Sequence, residues 1–238
     1  MADSTLKDLA ETYRRWPHFP LVSISDHQRR PLRFANWAGT VYHGLPEHLY
    51  RFSPAADDGY LAFLGRISPE KRPDRAIAIA RDAGIPLKIA AKIDNVDREY
   101  FDTVVAPLLD HPLVEYIGEI GDQEKPAFLG GARALLFPID WPEPFGLVMI
   151  EAMACGTPVV AWNQGSVPEV VDDGVTGRVV DSHQAAVAAV AEVAGFDRRQ
   201  VRAVFERRFS AEAMARAYEA LYRQLCASDA DLPRQLLA

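Results

Sequence analysis

The sequence predicts an α/β fold, a doubly wound parallel sheet preceded by a helix and strand appendage. Short apolar runs recur at 60–65, 87–91, 114–118, 134–138 and 158–162. Such runs mark strands covered on both faces of a parallel sheet. Between them lie segments at 74–83, 97–109, 123–130 and 145–155, each long enough to be the helix of a right-handed crossover. Strand and helix alternating in this way place helices on both faces of one sheet.

Residues before about Tyr60 stand outside that alternation. They read as an amphipathic helix at 6–15, an apolar strand at 21–24 and a passage around His43-Gly44-Leu45-Pro46 whose composition suits an interdomain connection. The expected division is therefore 1–45 as a separate piece with its linker, 46–227 as the main domain and 228–238 as a loose tail. Within the main domain, 175–180 adds a sixth strand, and 184–194, 198–207 and 211–225 close it as helices.

Composition narrows the function classes. A chain of 238 residues with 49% hydrophobic content can bury a substantial core. The formal net charge of −7 argues against nucleic acid as a bulk electrostatic partner, so any phosphate ligand must be held by a few placed groups. The longest apolar stretches are interrupted by Glu151 or by Gly156 and Pro158, too soon for a membrane span. The first residues carry no apolar signal core, and a cytoplasmic location is expected. Cys155 and Cys226 are far apart and lack histidine partners at metal-binding spacing, which implies neither a disulfide nor a zinc site. Cys155 reads as a small packing residue.

Candidate chemistry collects at the carboxyl ends of the predicted strands, where open α/β sheets bind ligands. The loop Gly65-Arg66-Ile-Ser-Pro-Glu70-Lys71-Arg72-Pro73 delivers cations there. Arg66 can grip phosphate oxygens with its fork and Lys71 can act as a point charge, unless this is only a solvated basic turn. The stretch Glu143-Pro-Phe-Gly-Leu-Val-Met-Ile-Glu151 sets two carboxylates around a predicted helix start. Pro144 disfavours helix at Glu143, and the free amides of the first turn attract phosphate. Glu151 then lies roughly 8 to 10 Å along the axis at ~1.5 Å per residue, comparable to the reach from a donor sugar to a nucleotide ribose. The plain alternative is an exposed loop glutamate and a surface helix glutamate. Asn163-Gln-Gly165-Ser-Val-Pro-Glu169 forms another polar loop on that edge, its glycine permitting close backbone approach. Glu169 is either a ligand or a first-turn helix residue favoured by the dipole.

Four pieces in order resemble the donor-nucleotide half of retaining GT-B glycosyltransferases of family 4. These are Gly65-Arg66 with Glu70-Lys71, Gly118-Glu119, Glu143-Pro-Phe-Gly-Leu with Glu151-Ala-Met-Ala-Cys-Gly-Thr-Pro158, and Gly165-Ser-Val-Pro-Glu169 with Asp173-Gly174. The likeness covers roughly 41–225 and implies a Rossmann-like donor domain. It further implies that Arg66 and Lys71 hold the donor diphosphate, that Glu151 receives ribose hydroxyls and that Glu143 orients the donor sugar. The amides of Phe145, Gly146 and Leu147 would meet the sugar and distal phosphate, and the backbone at Ile117, Gly118 and Ile120 would edge the base. Arg72-Pro73 departs from the family, which commonly has glycine after the lysine, and puts the path of that loop in question. On that resemblance the N-terminal acceptor domain of the complete enzymes is expected to be represented here only by its last piece, Val22-Ser-Ile-Ser25 resembling its final strand. His18, His27, His43 and His48 do not match that domain's histidine and read as structural or surface residues.

The implied reaction transfers a sugar from a UDP-, GDP- or ADP-sugar to an acceptor hydroxyl with retention, needing no metal because cationic side chains stabilise the leaving diphosphate. The alternative is a nucleotide-sugar binding module that does not turn over without a separate acceptor domain. Two other rivals are weaker. An oxidoreductase would need Gly-x-Gly-x-x-Gly after the first strand, which Gly65-Arg-Ile-Ser-Pro-Glu lacks. A glycosidase using Glu143 and Glu151 leaves Arg66 and Lys71 without purpose. The expected partners are the nucleotide sugar, an acceptor of unspecified class and either a second copy of the chain or a missing N-terminal domain.

Overall fold

In a computed structural model, which describes residues 2–56 and 59–230, two short strands, β1 (Leu21–Ser23) and β2 (Trp37–Thr40), pair in parallel. Six further strands build one parallel sheet. They are β3 (Leu61–Arg66), β4 (Leu87–Lys92), β5 (Val114–Gly118), β6 (Ala134–Phe137), β7 (Val159–Trp162) and β8 (Gly177–Val180), and they lie in the order β5-β4-β3-β6-β7-β8. Each of the six begins and ends within two residues of its sequence expectation. Along the strands successive side chains enter opposite layers. Leu135 and Val159 pack beneath one face and Leu136 and Val160 beneath the other, so the apolar runs of β6 and β7 are continuous rather than alternating.

The helices are α1 (Ala2–Arg15), α2 (Asp26–Arg29), α3 (Pro73–Ala83), α4 (Arg98–Tyr100), α5 (Lys125–Gly130), α6 (Leu147–Ala154), α7 (Val167–Val170), α8 (His183–Val193), α9 (Arg198–Phe209) and α10 (Ala211–Ala230). The single helix expected at 97–109 is instead a broken run. After α4 the chain widens into a π turn over Phe101–Val105 and tightens into a 3-10 turn over Ala106–Leu108. Pro107 is the cause, because it has no N–H to donate and its ring would meet the carbonyl of Thr103 in a regular α-helix. The last helix continues to Ala230, so 228–230 are helical rather than loose, and 231–238 lie outside the described residues. Strand β2 was not foreseen, being four half-buried residues around Gly39 with no periodic signal.

The N-terminal piece is tied to the sheet domain by backbone and by charge. Leu45 donates to the Phe209 carbonyl at 2.9 Å and accepts from the Ala211 amide at 2.9 Å. A Cβ on Gly44 would stand 2.3 Å from the Ser210 carbonyl oxygen, so only glycine fits. Glu169 accepts from the backbone amides of Asp26 at 2.7 Å and His27 at 2.8 Å. Neither sequence reading of Glu169 anticipated this, since its carboxylate caps the start of α2. Among the described residues no helix is long and apolar enough to cross a membrane.

Candidate functional site

The strand order reverses between β3 and β6, which are neighbours although far apart in sequence. Loops leaving their carboxyl ends diverge and open a crevice. Two cavities of about 370 and 530 Å³ occupy it, and Leu64 and Gly65 of β3 with Leu147 and Val148 of α6 line both. The first turn of α6, whose leading amides have no intrahelical acceptor, thus separates a chamber containing Lys71 and Glu143 from one containing Lys125 and Glu151.

At the first chamber the chain enters α6 through Gly146, which has φ of +83°. A Cβ there would lie 2.8 Å from Met149 Cε and 3.1 Å from Phe137 Cζ, so glycine is required by conformation and by space. Lys71 Nζ forms an ion pair with Glu143 Oε2, and Trp141 Nε1 donates to the same oxygen at 2.8 Å. The ammonium also sits 5.4 Å from the centre of the Trp141 ring. The Glu143 backbone is clamped from behind, because the Ser166 amide donates to its carbonyl at 3.0 Å. A Cβ on Gly165 would come within 2.3 Å of that carbonyl oxygen. The close approach anticipated for Gly165 is therefore to the Glu143 loop itself. Phe145, Gly146 and Leu147 line this chamber.

His43 lines it as well, with its ring edge-on to Phe145 at 5.1 Å and 85°. Burial holds its pKa below the ordinary histidine value, which favours the neutral imidazole. The sequence reading assigned it a structural or surface role, because its context does not match the histidine of the resembled family's N-terminal domain.

The second chamber is organised around Glu151. Its helix is buried nearly throughout, and Glu151 itself is only 8% exposed. An unpaired carboxylate there would be strongly disfavoured. Tyr50 Oη donates to Glu151 Oε1 at 2.7 Å, and Lys125 Nζ reaches the same oxygen at 3.3 Å while contacting Asp122 at 2.9 Å. Burial and the hydrogen bond to Glu151 push the Tyr50 hydroxyl well above its usual pKa, so it remains a donor. Neither Tyr50 nor Lys125 was singled out from sequence. Ile120 lines this chamber, whereas Ile117 and Gly118 are not among the lining residues. Ile117 is surface-exposed and Gly118 turns the chain out of β5 with φ of +80°.

Arg66 is placed beside the crevice rather than in it. It is not among the residues lining either chamber, and its guanidinium is ion-paired with Glu70 and stands 3.7 Å from both Asp94 and Asp97. The loop between Arg66 and α3 takes the path that a glycine would take. Arg72 adopts φ of +54°, at a steric cost of roughly 1–2 kcal/mol. Its guanidinium is held at 2.9 Å by Asp74 and at 2.9 Å by Asp140. The left-handed turn at Arg72 is thus fastened by side-chain charge. Cys155 is buried below α6, its thiol pushed up to about 12 by desolvation, as expected of a packing residue. Among the described residues no group of three or more His, Cys, Asp or Glu side chains is arranged to hold a metal ion.

Comparison with known proteins gives a consistent result. A model of the family Glycosyl transferases group 1 matches residues 49–198. The D-inositol 3-phosphate glycosyltransferase of Mycolicibacterium smegmatis is 36% identical over 135 residues, which are 56% of this chain and 31% of that protein. AviGT4, a glycosyltransferase involved in avilamycin A biosynthesis, superposes with a TM-score of 0.75 at 29% identity, covering 87% of this chain and 63% of that one. Anabaena HepE, solved with UDP and glucose, has a TM-score of 0.74 at 20% identity over 95% of this chain and 68% of its own, a likeness of fold. The chain spans less than half the length of the curated relatives it matches.

Proposed function

The chain belongs to the group 1 glycosyl transferases, and from that premise we propose that it binds a nucleoside-diphosphate sugar for transfer to an acceptor hydroxyl. The observation that carries the reading is the first turn of α6 standing between a Lys71/Glu143 chamber and a Lys125/Glu151 chamber. Such a site suits a ligand that is anionic in the middle and hydroxylated at both ends. The diphosphate lies against the amides of Phe145, Gly146 and Leu147 and against Lys71, the sugar against Glu143, and the ribose against Glu151. The backbone near Ile120, with Ile117 and Gly118 above it, edges the base.

In the resting protein Lys71 is committed to Glu143. An arriving diphosphate draws the ammonium towards its own charge and frees Glu143 to accept hydroxyl hydrogen bonds. As the glycosidic bond breaks, negative charge grows on the diphosphate, and Lys71 and the helix amides stabilise it more than they stabilise the ground state. Arg66 joins them if its fork leaves Asp94 and Asp97. This leaving-group stabilisation assigns no role to a metal. Glu143 orients the sugar while the acceptor attacks from the departing side, which is the family 4 retaining course. Residues 46–227 act as the donor domain and 1–45 as the edge of an acceptor-side unit.

UDP is the first nucleotide to test, because HepE, which shares the fold, was solved with it. Calorimetric titration with UDP, GDP and ADP, paired with a donor-consumption assay, tests the reading. At least one diphosphate should bind in the micromolar range or tighter, corresponding to about −8 kcal/mol. Binding without consumption favours the binding-module reading, and failure to bind any of the three rules out both.

A further inference from the structure

Glu151 is satisfied asymmetrically. Both of its donors, Tyr50 Oη and Lys125 Nζ, converge on Oε1, and among the described residues no donor is paired with Oε2. The two donors are unequal. Lys125 is 3.3 Å away and is shared with Asp122 at 2.9 Å. Tyr50 is 2.7 Å away, its residue only 6% exposed, and its backbone carbonyl is held by Arg202 Nη1 at 2.9 Å. Arg202 belongs to α9 and Tyr50 to the segment that leads into the domain, so a rigid donor from outside the crevice fixes a carboxylate within it.

We infer that Tyr50 is a positioning residue for nucleoside recognition: by holding Glu151 Oε1 it presents Oε2 to vicinal ribose hydroxyls and thereby sets the preference for ribonucleotides. The inference rests on the reading of Glu151 as the ribose acceptor. A phenyl ring in place of the phenol would fill the same buried space and leave the carboxylate tethered only by the shared ammonium. The rotamer of Glu151 would then widen, and the carboxylate would no longer be held where it can accept the hydrogen bonds that a vicinal diol donates.

The test compares affinities for UDP and 2′-deoxy-UDP, or the corresponding GDP or ADP pair if that base binds more tightly, in the wild-type chain, Glu151→Gln and Tyr50→Phe. The wild type should favour the ribonucleotide by about tenfold, the scale of one hydrogen bond to a charged group. Glu151→Gln should remove most of that preference. Tyr50→Phe should reduce it by several-fold while changing 2′-deoxy-nucleotide affinity by less than about twofold, and it should lower the unfolding temperature by a few degrees because a buried carboxylate loses a donor. An undiminished preference in Tyr50→Phe, with the preference lost in Glu151→Gln, would overturn the role of Tyr50 alone. Equal weakening of both nucleotides in Tyr50→Phe would make the tyrosine merely structural and also overturn it. An undiminished preference in Glu151→Gln would instead remove the reading of Glu151 on which the inference stands.

Discussion

The two ends of the 143–151 stretch hold their glutamates by opposite means. Glu143 stands on a loop, and its partners are Lys71, which lines the crevice, and Trp141 of the same loop. Glu151 stands within a buried helix and is anchored from outside the crevice by Tyr50. The difference teaches that two carboxylates of one local motif meet unlike demands. On the proposed function one exchanges partners when the diphosphate arrives, and the other keeps its geometry because a buried carboxylate is costly to leave loosely held.

Breaking the first end without the second is the sharpest use of that contrast. Gly165→Ala would put a Cβ 2.3 Å from the Glu143 carbonyl oxygen and 2.4 Å from its amide nitrogen, at a residue with φ of +60°. It should destabilise the fold by about 1–3 kcal/mol and displace the Glu143 loop. In calorimetry the nucleotide sugar should then bind no better than the bare diphosphate, with ribose preference kept. Unchanged sugar-dependent affinity would contradict the sugar-orienting role of Glu143.

A smaller effect is expected from the cations. Lys71→Ala should weaken nucleoside diphosphate binding by about tenfold or more, on the scale of a charged hydrogen bond, and leave nucleoside binding nearly unchanged. Arg66→Ala should cost less than Lys71→Ala, because three carboxylates already share its charge. Equal losses of diphosphate and nucleoside affinity in Lys71→Ala would contradict the diphosphate assignment.

Acid should separate the two ends least. His43 borders only the Glu143 chamber and has a folded pKa lowered by burial. The unfolded chain takes up a proton near ~6.5, so between that value and the lower folded one the unfolded state holds more protons. Its contribution to stability is therefore present above the unfolded value, falls as pH drops through it and levels off below the folded value. Thermal unfolding followed from pH 7.5 to 5 should show a decline that His43→Gln makes shallower by a few degrees at most. A decline of the same depth in both proteins would assign it to other groups.

Much of this arrangement was legible in the sequence wherever the signal is local. The six strands of the sheet and the start of α6 follow from runs of apolar residues, Pro144 and Gly146, which act within a few positions of themselves. Lys71 and Glu143 were singled out because sheet topology sends loop ends to one edge, and Glu151 by its spacing from Glu143 across a helix start. The partners were not legible. Tyr50 is separated from Glu151 by 101 positions, and nothing in its own neighbourhood marks it. Glu169 was recognised as a charge on the right edge, yet it caps α2 through amides more than a hundred residues away. Arg66 likewise turned towards Asp94 and Asp97, which the sequence reading had not paired with it.

The amino-acid order alone determined which segments become strands and helices and which charged residues reach the carboxyl edge, because hydrophobic runs, prolines and glycines bias the chain over short distances. Tertiary structure alone decided which of those charges meet. Long-range packing brings Lys71 to Glu143, Tyr50 to Glu151 and Glu169 to the start of α2, and such pairings depend on distances that no local spacing encodes.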